Sequence, residues 1–136
     1  PEEYARYARP YDLAVLSEAQ GAPFNVVHVC RGNNMLQEVA DYPAHVFSWA
    51  STDPTNPDLN QGLEWVSGAV AGGIDQAQAL LDSTSETVLE QLQAGFQQTG
   101  GRRWIVAPGC SILPETPGEY LTALRTALVD KAQPTS

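Results

Sequence analysis

Three side chains of types that bind transition metals lie at the ends of two predicted strands. His28 and Cys30 are two positions apart in an apolar run, so both side chains leave the same face of a strand. Cys110 follows a second apolar run in the same way. One imidazole and two thiolates form a typical Zn²⁺ ligand set, and three protein ligands leave a fourth position for substrate. Bound zinc would hold a substrate thiol as thiolate near neutral pH.

The same residues also have a structural explanation without a metal. His28 would be a hydrogen-bonded core histidine, and both cysteines would be small buried hydrophobic residues. A disulfide between them is the weaker alternative, because one bridge in a core of this size is little reason to propose an oxidising compartment. We therefore expect reduced thiols, and spacing alone leaves the metal and the structural explanations open.

Other polar or flexible positions follow predicted strands. Gly72 and Gly73 would let backbone approach a ligand, and Asp75 could point a carboxylate into the site, although a tight turn capped by Asp75 explains them too. Asn33 is a further candidate for the pocket. Residues that could line it, but fit turns or packing better, are Trp49, Ser51 and Asp53.

Basic residues also lie at the N-terminal ends of two predicted strands, away from the candidate ligands. His45 opens a predicted strand at the N-terminal face of a barrel, where residues contribute to stability rather than to catalysis, so we predict a structural role. Arg102 and Arg103 follow Gly100 and Gly101 on that same side. We interpret them as a turn with solvated charge.

The elements alternate between strands and helices. Predicted strands cover residues 24–30, 44–49, 68–72 and 103–107, and the first is expected to be buried on both faces. Predicted helices cover residues 2–20 with a break at Pro10, then 59–66, 76–81 and 83–100. Asn33 is the expected cap of a helix through Val39, and the capping patterns at 83–86 and 116–119 predict two more helix starts, the latter with Pro117 at the first helical position.

Four βα units with right-handed crossovers predict a parallel sheet covered by helices, either half of a (β/α)8 barrel or a small open doubly wound sheet. We favour the half barrel, because all strand ends of a barrel converge on one active-site face, where His28, Cys30 and Cys110 could meet.

Composition narrows the class of protein. The 136 residues are 43% hydrophobic and 17% charged, which suits a globular domain. A net charge of −9 makes nucleic acid an unsuitable partner. The apolar runs are far shorter than the roughly 20 residues of a membrane span, and we see no signal peptide, so we expect a cytoplasmic protein. The chain begins without Met inside a helical pattern, and we expect it to be part of something longer.

Four segments in chain order resemble the uroporphyrinogen decarboxylase superfamily. They are residues 24–30, 72–75, 99–102 and 105–110, the last followed by Thr116 and Pro117. The resemblance covers nearly the whole of residues 1–136 and implies one domain, the C-terminal half of the family's (β/α)8 barrel. The superfamily includes haem-pathway decarboxylases and methyltransferases that move a methyl group between corrinoid proteins and thiols such as coenzyme M.

The resemblance is stronger to the methyltransferase branch. That branch carries a His-x-Cys pair and a distant Cys as zinc ligands, and His28, Cys30 and Cys110 match the pattern one by one. Decarboxylases have a histidine where this chain has Cys110, and their Gly-Asn-Leu-Asp type segment matches residues 72–75 only loosely.

Three functions follow as hypotheses. The first is zinc-dependent methyl transfer to a small-molecule thiol from a corrinoid protein or another methyl donor. The second is uroporphyrinogen decarboxylase of haem biosynthesis, which needs no cofactor. The third is a noncatalytic half barrel that pairs with an N-terminal half or with itself, because half a barrel exposes two strand edges. We expect the isolated half to be inactive.

Overall fold

A computed structural model describes residues 1–77, 80 and 84–132 of the chain. Its elements are α1 (Glu2–Tyr7), α2 (Arg9–Ala19), β1 (Val26–Val29), α3 (Leu36–Val39), β2 (Val46–Trp49), α4 (Leu59–Trp65), β3 (Ala69–Ile74), α5 (Ser85–Thr99), β4 (Trp104–Pro108) and α6 (Gly118–Ala132). The strands form one parallel sheet in the order β1-β2-β3-β4. Each strand therefore pairs with its neighbour in sequence.

The helices cover one face of the sheet, which we call the outer face. Phe47 and Trp49 on β2 are fully buried against α3 and α4, in a cluster that includes Leu36 and Leu59. A second buried cluster contains Ile74, Leu80, Val88 and Leu92, and half-buried side chains of β4 and α6 pack against it. Since strand order never reverses and the helices lie on one side, the sheet is half of a barrel rather than a doubly wound sheet.

The other face of the sheet, the inner face, is open. Strand residues alternate between faces, so Val26 and His28 of β1 and Ile105 of β4 point away from the helices. Val26 is 51% exposed and Ile105 is 45% exposed. The prediction that the first strand is buried on both faces is wrong, because β1 is an edge strand and nothing among the described residues covers its inner side.

A hydrogen-bonded group joins the first two helices to the segment that follows α3. Tyr4 donates to the Asp12 carboxylate at 2.6 Å, and the Tyr42 hydroxyl lies 2.7 Å from that of Tyr4 and 3.1 Å from Asp12. Burial first, and then hydrogen bonding to Asp12, raises the pKa of both phenols. Arg9 forms an ion pair with Asp41 and lowers the pKa of that carboxyl. The broken helix predicted over residues 2–20 is confirmed as α1 and α2.

Helix starts differ from the predicted caps. Helix α5 is capped by Thr84, whose hydroxyl accepts from the backbone N–H of Thr87, while the predicted cap Ser83 lies outside the described residues. The capping box predicted at 116–119 is wrong: α6 begins at Gly118, and the buried Thr116 hydroxyl has no hydrogen-bond partner among the described residues. Half of the helix predicted over 76–81, residues 78, 79 and 81, also lies outside the described residues.

Asn33 does not cap α3. Its φ of 47° puts it in the left-handed region, and Asn34 instead accepts a hydrogen bond from the backbone N–H of Leu36 at 3.1 Å. The chain needs both residues to turn from β1 into the helix. The helix is also shorter than predicted, beginning only at Leu36.

Arg103 is exposed, as the prediction of a solvated charge requires, but it is also hydrogen-bonded to the protein. Its guanidinium donates to the carbonyls of Val66, Ser67 and Gly68, and also to that of Leu63. These carbonyls lie in the last turn of α4 and just beyond it, where the helix leaves them without intrahelical partners. A cation at this end also complements the helix dipole.

Candidate metal centre

His28, Cys30 and Cys110 come together on the inner face. One ligand atom from each lies within 4.8 Å of the others, and the two sulfur atoms are 3.7 Å apart. Thiolates bound at about 2.3 Å to one tetrahedral zinc ion would lie about 3.8 Å apart, so the sulfur spacing fits that ion. The chemistry of the donor set, one imidazole and two sulfurs, fits it as well.

The three side chains are accessible rather than part of a core. His28 and Cys30 are exposed and Cys110 is half-buried, with both thiols free. The alternative explanation that His28 is a core histidine and the cysteines are buried hydrophobic residues is therefore wrong. Edge strand β1 carries two of the donors on its uncovered side, which leaves them open to an ion and a substrate.

The Ser48 hydroxyl lies within hydrogen-bond distance of the His28 ring. The two residues are paired across β1 and β2, and His28 Nδ1 lies 3.2 Å from Ser48 Oγ. When Nδ1 donates its proton to this hydroxyl, Nε2 carries the lone pair that a cation needs. A second hydrogen bond of this kind is the usual way in which a metal-binding histidine is oriented.

The surroundings of Cys110 make its thiol easier to ionise. Its pKa is lowered, mainly because the backbone N–H of Ser111 donates to the sulfur, with smaller contributions from the Cys30 thiol and the Ser111 hydroxyl. The Ser111 hydroxyl lies 3.9 Å from the sulfur. Since the thiolate is the form that binds metals and attacks electrophiles, this environment suits a ligand.

Asp75 is part of a turn after β3. Its Oδ1 accepts from the backbone N–H of Ala77 at 2.7 Å, and its own N–H donates to Gln91 at 2.9 Å. It lines a small cavity together with Ala50, Thr52, Asp53, Pro54, Gln76 and Ala77. The three candidate ligands do not border this cavity, and Asp75 does not belong to the group of possible metal ligands.

Gly72 and Gly73 pack against the protein's own atoms. A Cβ on Gly72 would lie 2.9 Å from Ser51 Oγ, and Gly73 has a φ of 101°, which disfavours any side chain. The backbone N–H of Gly73 donates to Ser51 Oγ at 2.9 Å. Close packing and backbone conformation thus explain why glycine occupies both positions. A role of Gly72 and Gly73 in cofactor binding stays a prediction.

The loops after β1 and β2 are hydrogen-bonded to each other. The backbone N–H of Asn33 donates to the Thr55 hydroxyl at 2.8 Å, and Asp53 accepts from that same hydroxyl at 2.6 Å. Hydrogen bonds from the hydroxyl and then from the backbone N–H of Thr55 lower the pKa of Asp53. Asn33 and Asp53 therefore have structural partners here, and cofactor binding by Asn33 also stays a prediction.

Two further residues behave as the sequence indicates. Trp49 is buried and donates its indole N–H to the carbonyl of Pro57, so it is a packing residue. His45 precedes β2 at the opposite end of the sheet from the candidate centre, and its Nδ1 accepts from the backbone N–H of Asn25.

Sequence reasoning missed Ser48, Gly109 and Asn56. Ser48 could have been found, since it is a polar residue at an inward position of a strand whose other residues are apolar. Asn56 donates to the carbonyls of Arg31 and Ala50, just after β1 and β2, and no spacing rule marks such a contact. Gly109 precedes a candidate ligand, yet nothing in the sequence shows what its backbone would touch.

Comparisons with known proteins show the fold and the family of the chain. No curated protein matches the chain. Among solved structures, a methyltransferase from Methanosarcina mazei superposes with a TM-score of 0.81 at 20% identity, over 98% of this chain and 38% of that chain. That likeness shows the fold, and the chain spans well under half of that protein's length. The uroporphyrinogen decarboxylase family matches residues 1–130, and the chain therefore belongs to this family.

Proposed function

We propose that the chain binds zinc through His28, Cys30 and Cys110 and contributes this centre to methyl transfer onto a thiol. The observation that carries the proposal is the convergence of one nitrogen and two sulfur donors within 4.8 Å of one another. The fold shared with a methyltransferase supports it. The partners that we propose are a small-molecule thiol, a methylated corrinoid protein or other methyl donor, and the remaining half of the barrel.

The reaction needs the acceptor to be a thiolate. When bound, zinc would lower the pKa of the acceptor thiol and hold it deprotonated near neutral pH. The acceptor sulfur then forms a bond to the methyl carbon while that carbon's bond to the donor breaks, and the donor keeps the electron pair. In this proposal Cys30 and Cys110 supply two thiolate charges, and Ser48 keeps His28 in the tautomer that can bind.

Metal analysis tests the proposal. The full chain, purified without chelator, should contain about one zinc ion, and Cys110→Ser or His28→Ala should lose most of it. His45→Ala is the matched control, because His45 lies at the other end of the sheet and should leave the zinc content unchanged. A chain without zinc, together with unimpaired methyl transfer by Cys110→Ser in the presence of the remaining half of the barrel, would exclude the mechanism.

Asp75 is the residue that we propose as a catalytic acid or base. Asp75→Asn keeps an oxygen that can accept from the backbone N–H of Ala77, so the turn should survive. Methyl-transfer activity of the chain, assayed together with the remaining half of the barrel, should fall in this variant if the carboxylate moves a proton. Unchanged turnover in Asp75→Asn would mean that Asp75 only stabilises the turn and is not a catalytic acid or base.

Decarboxylation of uroporphyrinogen is the second candidate, because the family that matches residues 1–130 bears that name. It would need no metal, so Cys110→Ser should keep this activity. The experiment is an assay for coproporphyrinogen formed from uroporphyrinogen by the chain together with the remaining half of the barrel. Absence of product with folded protein would eliminate this candidate.

A further inference from the structure

The two cysteines belong to strands that are far apart in the sheet. β1 and β4 are separated by β2 and β3, and strands spaced about 4.8 Å apart would place their ends roughly 14 Å apart on a flat sheet. The sulfur atoms are nevertheless 3.7 Å apart. The chain after β4 must therefore run back across the ends of β3 and β2.

Gly109 is the residue at which this crossing is closest. Its backbone N–H donates to the carbonyl of Ile74, the last residue of β3, at 2.9 Å. A Cβ on Gly109 would lie 2.6 Å from the Cα of Ala50 and 2.8 Å from its Cβ. Ala50 directly follows β2, so the backbone of Gly109 lies directly against the end of that strand.

This contact cannot be relieved by a side-chain rotation. The Cα of Ala50 is backbone, and Cβ atoms in real structures essentially never approach another heavy atom within 3.0 Å. The third neighbour of the added Cβ, Gln76 Oε1 at 2.8 Å, ends a flexible side chain and could move away. Any side chain at position 109 would therefore lift the segment that carries Cys110 off the sheet.

We propose that Gly109 is a positioning residue, which brings Cys110 next to Cys30 because it lacks a side chain. The sulfur pairing follows from the geometry alone, whereas its consequence for zinc rests on the proposed function. Position 109 lies one residue before the candidate ligand Cys110, and it requires glycine because its backbone closely approaches Ala50.

A trivalent arsenical tests the pairing without zinc. Phenylarsine oxide reacts with two neighbouring thiols to form two As–S bonds, and the oxygen and both thiol protons leave as water. The full chain contains two cysteines, Cys30 and Cys110, so a bridged adduct reports their proximity. Mass spectrometry counts the adduct, and competition with a small dithiol gives its affinity.

The test variant is Gly109→Ala, and two glycines provide controls. A Cβ on Gly118 meets nothing within 4 Å, so Gly118→Ala controls for the substitution itself. A Cβ on Gly95 would collide with the ring of Trp104, so Gly95→Ala controls for steric stress elsewhere. We expect arsenical affinity to fall about tenfold or more in Gly109→Ala and to stay at the wild-type value in both controls, compared at matched folded fractions.

Zinc affinity, measured by competition with a chromogenic chelator, separates this inference from the proposed function. Weaker arsenical bridging in Gly109→Ala supports the positioning role even if the wild-type chain binds no zinc, an outcome that would count against the proposed function alone. Wild-type arsenical affinity in Gly109→Ala would overturn the positioning role, whether or not zinc binds. A loss equal to that of Gly95→Ala at the same folded fraction would overturn it as well.

Discussion

The hydroxyl of Ser48 and the ring of His28 face each other across two paired strands. A hydrogen bond at Nδ1 selects the tautomer and limits rotation of the ring, so its loss should weaken a metal bound at Nε2. Ser48→Ala should lower zinc affinity about tenfold, which a chelator competition titration would measure. Ser67→Ala, a serine outside the inner face, is the control. Equal zinc affinities in the wild type and Ser48→Ala would show that Ser48 does not orient the ring.

At the residue scale, the sequence was enough to predict which side chains could bind a metal. It was not enough to predict which other residues hold those side chains in position. Alternation along a strand is enough to place His28 and Cys30 on one face. Ser48 faces His28 only because β1 and β2 pair in one particular register. Position 109 favours glycine only because the chain passes close to Ala50 there. Both depend on which elements become neighbours, and that information does not lie in local spacing.

At the element scale, two threonines near helix starts have opposite roles. The Thr84 hydroxyl caps α5, whereas the Thr116 hydroxyl is buried without a partner among the described residues. Thr84→Val should lower the free energy of unfolding by about 1 kcal/mol, because an N-cap is lost. Thr116→Val should leave it unchanged or raise it by up to about 1 kcal/mol, because a buried unpaired polar group is removed. Urea denaturation measures both values, and a larger loss for Thr116→Val than for Thr84→Val would contradict this assignment.

The loops after β1 and β2 depend on Asn56. Its amide nitrogen donates to the carbonyls of Arg31 and Ala50, and its oxygen accepts from the backbone N–H of Asn34. Asn56→Asp keeps the acceptor and replaces the donor by an oxygen that repels both carbonyls. We expect a loss of about 2 kcal/mol in the free energy of unfolding and weaker zinc binding, because Arg31 follows Cys30 directly.

Chemical denaturation and the chelator titration, run on the same Asn56→Asp preparation, measure these two effects. Asn60→Asp, an exposed substitution of the same kind on α4, controls for the added charge. Wild-type stability in Asn56→Asp would mean that the amide does not hold the loops together.

Elements with strong apolar patterns were predicted best. All four strands and the helix now described as α5 lie where the pattern places them, although strand bounds shift by up to two residues. The capping errors at Asn33 and Thr116 have one cause. A capping pattern shows that a hydroxyl or amide could accept a bond, whereas the path of the chain into the helix decides whether it does.

At the scale of the whole molecule, the open inner face is the feature that needs a partner. Barrel interiors are filled by packed side chains, yet Val26 and Ile105 are about half exposed in this half barrel. No helix in the described part of the chain has the length and apolar character of a membrane span. We therefore propose that the inner face and strand edges pair with a complementary half barrel or with a second copy, which is also what a noncatalytic half barrel would do.

Association of the 136-residue chain tests this proposal. Sedimentation velocity should show concentration-dependent self-association, and Val26→Lys combined with Ile105→Lys should weaken it by placing charge on the apolar face. Leu121→Lys with Val129→Lys, at exposed positions of α6, is the matched control. A folded monomer at all concentrations would argue against pairing through this face.

X-ray absorption at the zinc edge tests the central claim most directly. With zinc bound to the full chain, we predict two sulfur neighbours at about 2.3 Å and one imidazole nitrogen at about 2.0–2.1 Å, with a lighter atom at the remaining position. Cys110→Ser should reduce the sulfur shell to one. A zinc shell made only of nitrogen and oxygen would contradict the claim that His28, Cys30 and Cys110 bind one ion.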